Sequence, residues 1–227
     1  PDTTAAEAIR RLSGITVEND QGEGRYVSIR GLSGDLNAIA VNGAMVPAPE
    51  GGRKVMLDGI PTELLDSIEV YKSLTADKDA DSIGGRIEFK TKKARSLNGT
   101  LFKIKLDSSY NDQSKNSNNP KLAMTYGDMI TDNLGHILGV TYASKQIISY
   151  NNETGFPGWT DTENGKRLDD DWEMRYYDLT RERTGITYDL DYVINDETSI
   201  FANLLYNHYE DDELRNKDEY GSLKHGD

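Results

Sequence analysis

The sequence predicts two joined parts: an α+β domain, and after it antiparallel strands of a transmembrane β-barrel. Short segments with helical and strand patterns fill residues 1–95, whereas side chains alternate with a period of two from Asn98 onward. The composition changes at the same point. Residues 1–95 carry 13 Lys/Arg and 15 Asp/Glu, whereas residues 96–227 carry 13 Lys/Arg and 24 Asp/Glu. The second part also contains 11 of the 13 tyrosines and both tryptophans. We therefore expect a domain boundary near residue 95.

The composition also argues against several classes of function. A net charge of −13 disfavours nucleic-acid binding, which needs a basic surface. Because the chain has no cysteine, it has no disulfide scaffold, thiolate metal site or cysteine nucleophile. The three histidines have no metal-binding spacing, and the acidic runs at 169–171 and 210–213 do not match a calcium loop. No nucleophile elbow occurs. We predict no catalytic residue, no cofactor and no metal.

The first part contains short elements in a clear order. A capping-box spacing that starts at Thr4 predicts a helix over about 4–12. A second, short helix is predicted at Pro61, because proline is favoured at the first helical position. Asn42-Gly43 predicts a tight hairpin turn, and prolines and glycines predict a loop over 45–53. Alternating or β-branched segments predict strands at 15–17, 26–30, 37–41, 67–71 and 85–92.

The second part predicts five strands of about 10–15 residues, longer than the usual soluble strand. Each has an apolar face and a polar or small face, as in 102–106. Tilted strands of about 9–11 residues cross a bilayer, although a soluble sandwich shows the same alternation. Tight turns at 128–133 and 195–197 alternate with longer polar loops at 111–119 and 150–175, which favours an outer-membrane barrel. Because five strands cannot close a barrel, we expect a fragment of a barrel of roughly 22 strands.

Four stretches of the first part resemble the TonB-dependent outer-membrane receptors. They fall in that family's order and spacing: AEAIRRLSGITV (6–17), YVSIRGLSGDLNAIAVNG (26–43), IPTELLDSIEVYKSL (60–74) and SIGGRIEFKTKKA (82–94). The last stretch is especially similar to the branch typical of Caulobacter- and Xanthomonas-like bacteria. The resemblance implies a plug domain over 1–95, with its N-terminal part missing, and the first barrel strands over 96–227.

The resemblance also implies a function and partners. The receptors lie in the bacterial outer membrane, in contact with its lipid, and import a scarce ligand with energy that the TonB protein supplies by pulling on a segment that would precede Pro1. The family contacts ligand at the apical plug loops. These loops correspond to 32–35 and 44–53, and the candidate ligand-binding residues are Ser33, Asp35, Met45, Val46, Pro47, Glu50 and Arg53.

Two further groups of residues are candidates for function. A plug that must move under force is expected to hold the barrel through polar contacts, and the predicted plug–barrel contacts are Arg30, Glu69, Arg86 and Lys90. Aromatic side chains in the loop 150–175 could stack on sugars or could serve as membrane-interface or packing residues; they are Phe156, Trp159 and Trp172.

The sequence does not choose between several classes of substrate. The resembled branch includes oligosaccharide importers and the wider family imports ferric siderophores and cobalamin, so a small molecule or an oligosaccharide is expected, with carbohydrate slightly favoured by the tryptophans. The alternative is a soluble or surface-attached, lectin-like β-rich binding protein without transport. An enzyme is not expected.

Overall fold

The computed structural model describes residues 4–48, 52–57, 60, 62–76, 82–97, 99–154, 158–168 and 171–221. One α-helix, α1, spans Ala5–Ile9, and three single-turn 3-10 helices lie at Gly34–Leu36, Thr62–Leu64 and Ala94–Ser96. The strands are β1 (Ile15–Asp20), β2 (Glu23–Ile29), β3 (Asn37–Val41), β4 (Ala44–Met45), β5 (Leu65–Tyr71), β6 (Gly85–Thr91), β7 (Leu101–Ser108), β8 (Pro120–Thr131), β9 (Leu134–Thr154), β10 (Trp159–Thr162), β11 (Gly165–Leu168), β12 (Trp172–Asn195) and β13 (Thr198–Tyr220).

The described residues 4–97 form an N-terminal unit with two small sheets. Strands β1 and β2 form an antiparallel hairpin, and a four-stranded sheet has the order β4-β3-β6-β5. Strands β3 and β6 are parallel, whereas β5 and β6 are antiparallel. One apolar core joins these sheets and α1, and it includes Ile9, Ile29, Leu57, Ile87 and Phe89. The predicted α+β architecture is confirmed.

Helix α1 is shorter than the predicted 4–12. The Thr4 side chain caps the helix by accepting from the Glu7 backbone N–H at 3.4 Å, as the capping box predicts. The helix ends at Ile9, because Arg10 and the residues after it are exposed and add no packing. Short helices depend on tertiary packing of one face, and here that face is limited to the buried Ala5, Ala6 and Ile9.

Two tight spots are occupied by glycine for identifiable reasons. Asn42 and Gly43 both have positive φ, 48° and 90°, so the turn between β3 and β4 is the predicted hairpin turn. Gly85, at the start of β6, has φ 148°, and a Cβ there would lie 2.7 Å from the Tyr71 carbonyl oxygen. The Gly84-Gly85 pair therefore lets β6 enter the sheet between β3 and β5.

The remaining strands form a long five-stranded antiparallel sheet of order β13-β12-β9-β8-β7, called the long sheet here. Strands β9, β12 and β13 have 21, 24 and 23 residues, more than predicted. The predicted loop over 150–175 is wrong at both ends, because β9 runs to Thr154 and β12 starts at Trp172, with the β10–β11 hairpin between them. Polar residues at 151–154 and 169–171 interrupt the sequence pattern between these strands, so hydrophobic alternation could not reveal the strand ends.

In β8, β9 and β12 the long sheet has one buried face and one more exposed face, whereas β13, at the edge of the sheet, is exposed on both faces. Along β12, alternate residues from Tyr177 to Asp189 are buried, and they face the N-terminal unit. The opposite rows are apolar and exposed toward one end; Leu106 is 75% exposed and Ile104 is 53% exposed. The tight turns lie between β8 and β9 and between β12 and β13, whereas the long connections are at the other end. Among the described residues, no helix has the length and apolar character needed to cross a membrane.

Candidate functional site

Glu23, in β2 of the N-terminal unit, is bound by three cationic side chains of the long sheet. Its Oε2 accepts from Arg183 Nη2 at 2.5 Å and from Arg181 Nη1 at 3.2 Å. Its Oε1 accepts from Lys145 Nζ at 2.8 Å. Because Arg181 and Arg183 are two residues apart in β12, their side chains leave the same face of the sheet. The strand period thus aims both guanidinium groups at one carboxylate.

Asp20 extends this cluster at the end of β1. Its carboxylate accepts from Arg25 within the N-terminal unit at 2.6 Å and from Arg181 of the long sheet at 2.9 Å. Arg181 also donates to the Asp211 carboxylate in β13 at 3.1 Å and is only 1% exposed. The buried guanidinium therefore has three carboxylate partners, which buried charges require.

The charges around Glu23 change its titration. Burial raises the pKa of the Glu23 carboxyl, but attraction to Arg183 and Lys145 outweighs burial and lowers the pKa from 4.5 to about 2. Glu23 is therefore ionised at neutral pH, and the cluster is a set of charge-assisted hydrogen bonds across the junction.

Two more polar contacts join the N-terminal unit to the long sheet. Asp189 in β12 accepts from the Thr91 hydroxyl at 2.8 Å and from the Asn42 amide at 3.4 Å. Asn42 also donates to the Thr91 hydroxyl at 2.6 Å, so the β3–β4 turn and the end of β6 bind one carboxylate. Glu63 pairs with Lys121 of β8 at 2.7 Å. These hydrogen bonds and ion pairs give the junction several polar contacts.

A cavity of about 310 Å³ lies beside the Glu23 cluster, between the two parts. Its lining includes Thr4 and Glu23 from the N-terminal unit and Lys121, Thr141 and Arg183 from the long sheet. Charged side chains from both parts therefore meet at the edge of this cavity.

The family model of the TonB-dependent receptor plug domain matches residues 1–86. This match covers the whole β1–β4 region and reaches the glycine pair before β6. The chain contains a TonB-dependent receptor plug domain. From here on the N-terminal unit is called the plug.

Solved structures show the same fold. One is a mutant of the ferric enterobactin receptor of Pseudomonas aeruginosa in complex with enterobactin. It is 16% identical with a TM-score of 0.60, and the match covers 93% of this chain and 31% of the receptor chain. The unliganded ferric citrate transporter FecA is 14% identical with a TM-score of 0.51, and the match covers 99% of this chain and 47% of FecA. The apoprotein of the FrpB iron transporter from Neisseria meningitidis is 13% identical with a TM-score of 0.52, and the match covers 96% of this chain and 34% of FrpB.

This chain spans less than half the length of those solved chains. No curated protein matches it by sequence. The likeness confirms the predicted fold, a plug followed by antiparallel strands of a barrel.

The structure brings three of the predicted apical residues together. Asp35 Oδ1 accepts from the backbone N–H of Arg53 at 2.9 Å and of Lys54 at 3.2 Å, and the Ser33 hydroxyl accepts from the Asp35 N–H at 3.4 Å. The hydrogen bond from the Arg53 N–H lowers the pKa of Asp35. Lys54 then pairs with Glu18 of β1 at 3.3 Å. Loops 33–35 and 52–54 therefore pack beside the β1–β2 hairpin.

The other predicted apical residues lie apart from that group. Met45, Val46 and Pro47 line a cavity of about 440 Å³ whose far side includes Phe201 and Asn203 of β13. Glu50 lies outside the described residues. The structure therefore divides the predicted ligand loop into a segment near the hairpin and a segment near β13.

The predicted plug–barrel contacts form bonds inside the plug instead. Arg86 donates to the Glu88 carboxylate at 2.8 Å and to the Gly43 carbonyl at 3.2 Å. Lys90 pairs with Glu88 at 3.4 Å. Arg30 donates to backbone carbonyls of the loop before β6, and Glu69 accepts from the Tyr71 hydroxyl at 2.7 Å. These four residues therefore stabilise the plug, and other residues carry the junction.

The tryptophans do not lie together at a lumen site. Trp172 is on the row of β12 that contains Tyr188, so it faces away from the plug, and it is 38% exposed. The prediction of Trp172 as an extracellular-loop residue that contacts ligand or packs at the membrane interface stays a prediction. Trp159 begins β10 and is exposed, and Phe156 lies outside the described residues.

Sequence reasoning missed the residues that join the plug to the long sheet. Glu23 stands between two glycines in QGEG, a local pattern that does not indicate a partner for its carboxylate. The signal in the long sheet was RER at 181–183, which places two arginines on one face of a strand. Neither signal predicts the other, because the pairing depends on how the plug sits against the sheet.

Proposed function

We propose that this chain forms the plug and the first barrel strands of a TonB-dependent receptor that imports a scarce ligand across the bacterial outer membrane. The observation that carries the proposal is the two-sided long sheet: its inner rows pair with plug charges, such as Arg183 with Glu23, while its outer rows are apolar and exposed. A barrel wall around a polar plug needs this arrangement. We keep residue 95 as the proposed boundary between plug and barrel.

The outer apolar rows are proposed to contact membrane lipid. Along β12 the outward residues are apolar or aromatic from Ile186 to Ile194, and along β9 from Leu134 to Tyr142, with His136 between. The row from Ile186 to Ile194 is about 26 Å long along the strand, which at a tilt of about 40° spans about 20 Å of membrane. We call these outward rows the lipid-facing band.

The alternative, a soluble lectin-like protein, would need that band to be covered. Sheets of soluble sandwiches bury their apolar faces against a second sheet. Among the described residues the apolar rows of the long sheet remain exposed, with Phe102 and Leu204 among the most exposed. The band therefore favours lipid over a second protein layer.

The proposed ligand is a ferric chelate or an oligosaccharide, a broader class than the carbohydrate that the sequence slightly favoured. The solved relatives include receptors named for ferric enterobactin and ferric citrate. The carbohydrate preference relied on Trp159 and Trp172, and Trp172 faces outward, so a ferric chelate and an oligosaccharide both remain candidates. TonB is the proposed energy partner.

Uptake by cells tests the transport proposal. Cells that express the full-length receptor should accumulate labelled ferric chelate or labelled maltodextrin only when TonB is present, and a strain without TonB is the control. Isothermal titration of the purified receptor with ferric chelates, maltodextrins and chito-oligosaccharides selects the ligand. Uptake that is equal with and without TonB would contradict energy coupling.

A further inference from the structure

Above the lipid-facing band, the outer face of the long sheet carries a second apolar region. Its residues share the outward rows of β9, β12 and β13, and we call it the upper aromatic patch: Tyr150, Trp172, Met174, Tyr176, Leu214 and Tyr220. Strand pairing holds it together, because Tyr176 is the register partner of Tyr150 and Trp172 is the partner of Tyr220. The Tyr150 and Tyr176 ring centroids are 5.1 Å apart.

A polar belt separates the patch from the lipid-facing band. On the same outward rows the belt contains Ser144, Gln146, Thr180, Glu182 and Asp212. Lipid tails do not tolerate such a belt, so the apolar surface above it is not a continuation of the lipid contact. The patch is a distinct surface.

The height of the patch also rules out the role of an interfacial aromatic girdle. Tyr150 lies eight residues beyond Tyr142, the upper end of the band in β9, or about 26 Å along the strand. At a strand tilt of about 40° this is about 20 Å along the membrane normal. A headgroup layer is only about 5–7 Å thick on each side, and girdle aromatics lie at that level.

The side chains of the patch are open to a ligand. Tyr150 is 71% exposed, Leu214 60% and Tyr220 57%. Single exposed apolar residues are ordinary, but a contiguous group of this kind marks an interaction surface. The patch is roughly 10 Å wide, because it spans three strands about 4.8 Å apart, and roughly 20 Å long, because it extends over six residues along a strand. A short oligosaccharide has about this size.

The chemistry of the patch points to sugar. Flat faces of Tyr and Trp offer apolar bodies with polar tips, which suits pyranose rings that carry both C–H faces and hydroxyl groups. Asn152, Asn216 and Asp218 lie between the rings on the same rows and can exchange hydrogen bonds with hydroxyls. The carboxylates Asp178 and Asp218 on the same rows argue against a protein partner, because Asp and Glu are depleted at protein interfaces.

We propose that the upper aromatic patch binds the saccharide part of the glycolipid in the outer leaflet that surrounds the receptor. The inference rests on the proposed membrane orientation, which places saccharide, and not acyl chain, at this height. The bound sugar would fix the extended ends of β9, β12 and β13 above the bilayer. The patch is outside the lumen, so this binding is separate from ligand import.

Binding to defined lipopolysaccharides tests the proposal. Full-length receptor in detergent is titrated with lipopolysaccharide that has a complete core, with deep-rough lipopolysaccharide that lacks core sugars, and with free core oligosaccharide. We expect the complete core to bind more tightly than the deep-rough form, and the free oligosaccharide to bind measurably. Trp172→Ala and Tyr176→Ala should each weaken sugar binding about three- to tenfold, because each removes a stacking ring.

The controls separate stacking from folding and from lipid contact. Trp172→Phe keeps a ring and should keep most of the binding, and Tyr192→Ala removes an aromatic side chain from the lipid-facing band and should leave sugar binding unchanged. Heat-modifiable gel mobility checks that each variant is folded. Equal binding of deep-rough and complete lipopolysaccharide, unchanged binding by the alanine variants, or a bound protein instead of sugar would overturn the proposal. TonB-dependent uptake by the same variants shows separately whether the proposed function holds.

Discussion

Arg183 of the long sheet donates to Glu23 of the plug at 2.5 Å, and Glu23 is almost fully buried. This pair joins residues 160 positions apart in sequence and places charge where a soluble domain would place its core. A plug held by such bonds is stable at rest, and every bond that breaks can be replaced by water as the plug moves.

Replacing Glu23 by Gln should loosen the plug. The change removes the negative charge that pairs with Arg183 and Lys145, and loss of one partner of a buried pair costs about 3–5 kcal/mol. Hydrogen exchange of amides in 15–29 of the full-length protein should become faster. Glu18→Gln is the matched control, because the Lys54–Glu18 pair is exposed and its loss costs under about 1 kcal/mol. Equal exchange in both variants would contradict a dominant role for Glu23.

The contribution of Glu23 should depend on pH in a defined window. Its pKa is about 2 in the folded protein and 4.5 when unperturbed, so the stabilisation is fully present above pH 4.5 and is lost as the pH falls toward 2. The difference in unfolding free energy between wild type and Glu23→Gln should be constant from pH 6 to 8. Denaturant titrations at pH 3 should show a smaller difference, and an undiminished one would refute the assigned titration.

Asp189 should hold the opposite end of the plug. Asp189→Ala leaves the Thr91 hydroxyl without its acceptor in the long sheet and should cost about 1–3 kcal/mol. The measurement is the exchange rate of amides around Asn42 and Thr91. Asp191→Ala is the control, because Asp191 lies on the same face of β12 and its buried Oδ2 has no hydrogen-bond partner among the described residues. Loss of plug protection in the control alone would contradict this assignment.

Gly85→Ala should disturb the entry of β6 into the plug sheet. The new Cβ would lie 2.7 Å from the Tyr71 carbonyl and 3.0 Å from Ile29, at a backbone φ of 148°. Strain and crowding together should cost about 2–4 kcal/mol in plug unfolding monitored by denaturant titration. Gly165→Ala has a positive φ, 125°, but nothing within 4 Å, and should cost less. Similar losses in the two variants would show that crowding is not the cause.

The sequence predicted elements better than it predicted contacts. Strand β3 has the predicted bounds 37–41, and the Asn42-Gly43 turn and the 195–197 turn are in place, because turn chemistry and period-two alternation are local. The upper ends of β9 and β12 were read as part of the loop 150–175. Polar residues at 151–154 and 169–171 interrupt the alternation there, although Tyr150, Trp172 and Tyr176 continue the outward rows.

The candidate site needed the three-dimensional arrangement. Arg86 was expected to reach the barrel because it lies on the polar face of its strand, away from Ile87 and Phe89. Its guanidinium group instead pairs with the carboxylate of Glu88, two residues away. Glu23, Arg181 and Lys145 come from three separate segments, and no local pattern relates them.

Spin labels along β12 test the two-sided sheet most directly. Residues 1–227 contain no cysteine. Single cysteines are placed at 186 to 192 in the full-length protein in lipid bilayers, with any cysteine outside residues 1–227 replaced by serine, so that each label has a known site. We expect high oxygen accessibility at 186, 188, 190 and 192 and immobile, oxygen-protected labels at 187, 189 and 191, which face the plug. Accessibility without a period of two, or with the opposite phase, would contradict the assignment of the inner rows to the plug and the outer rows to lipid.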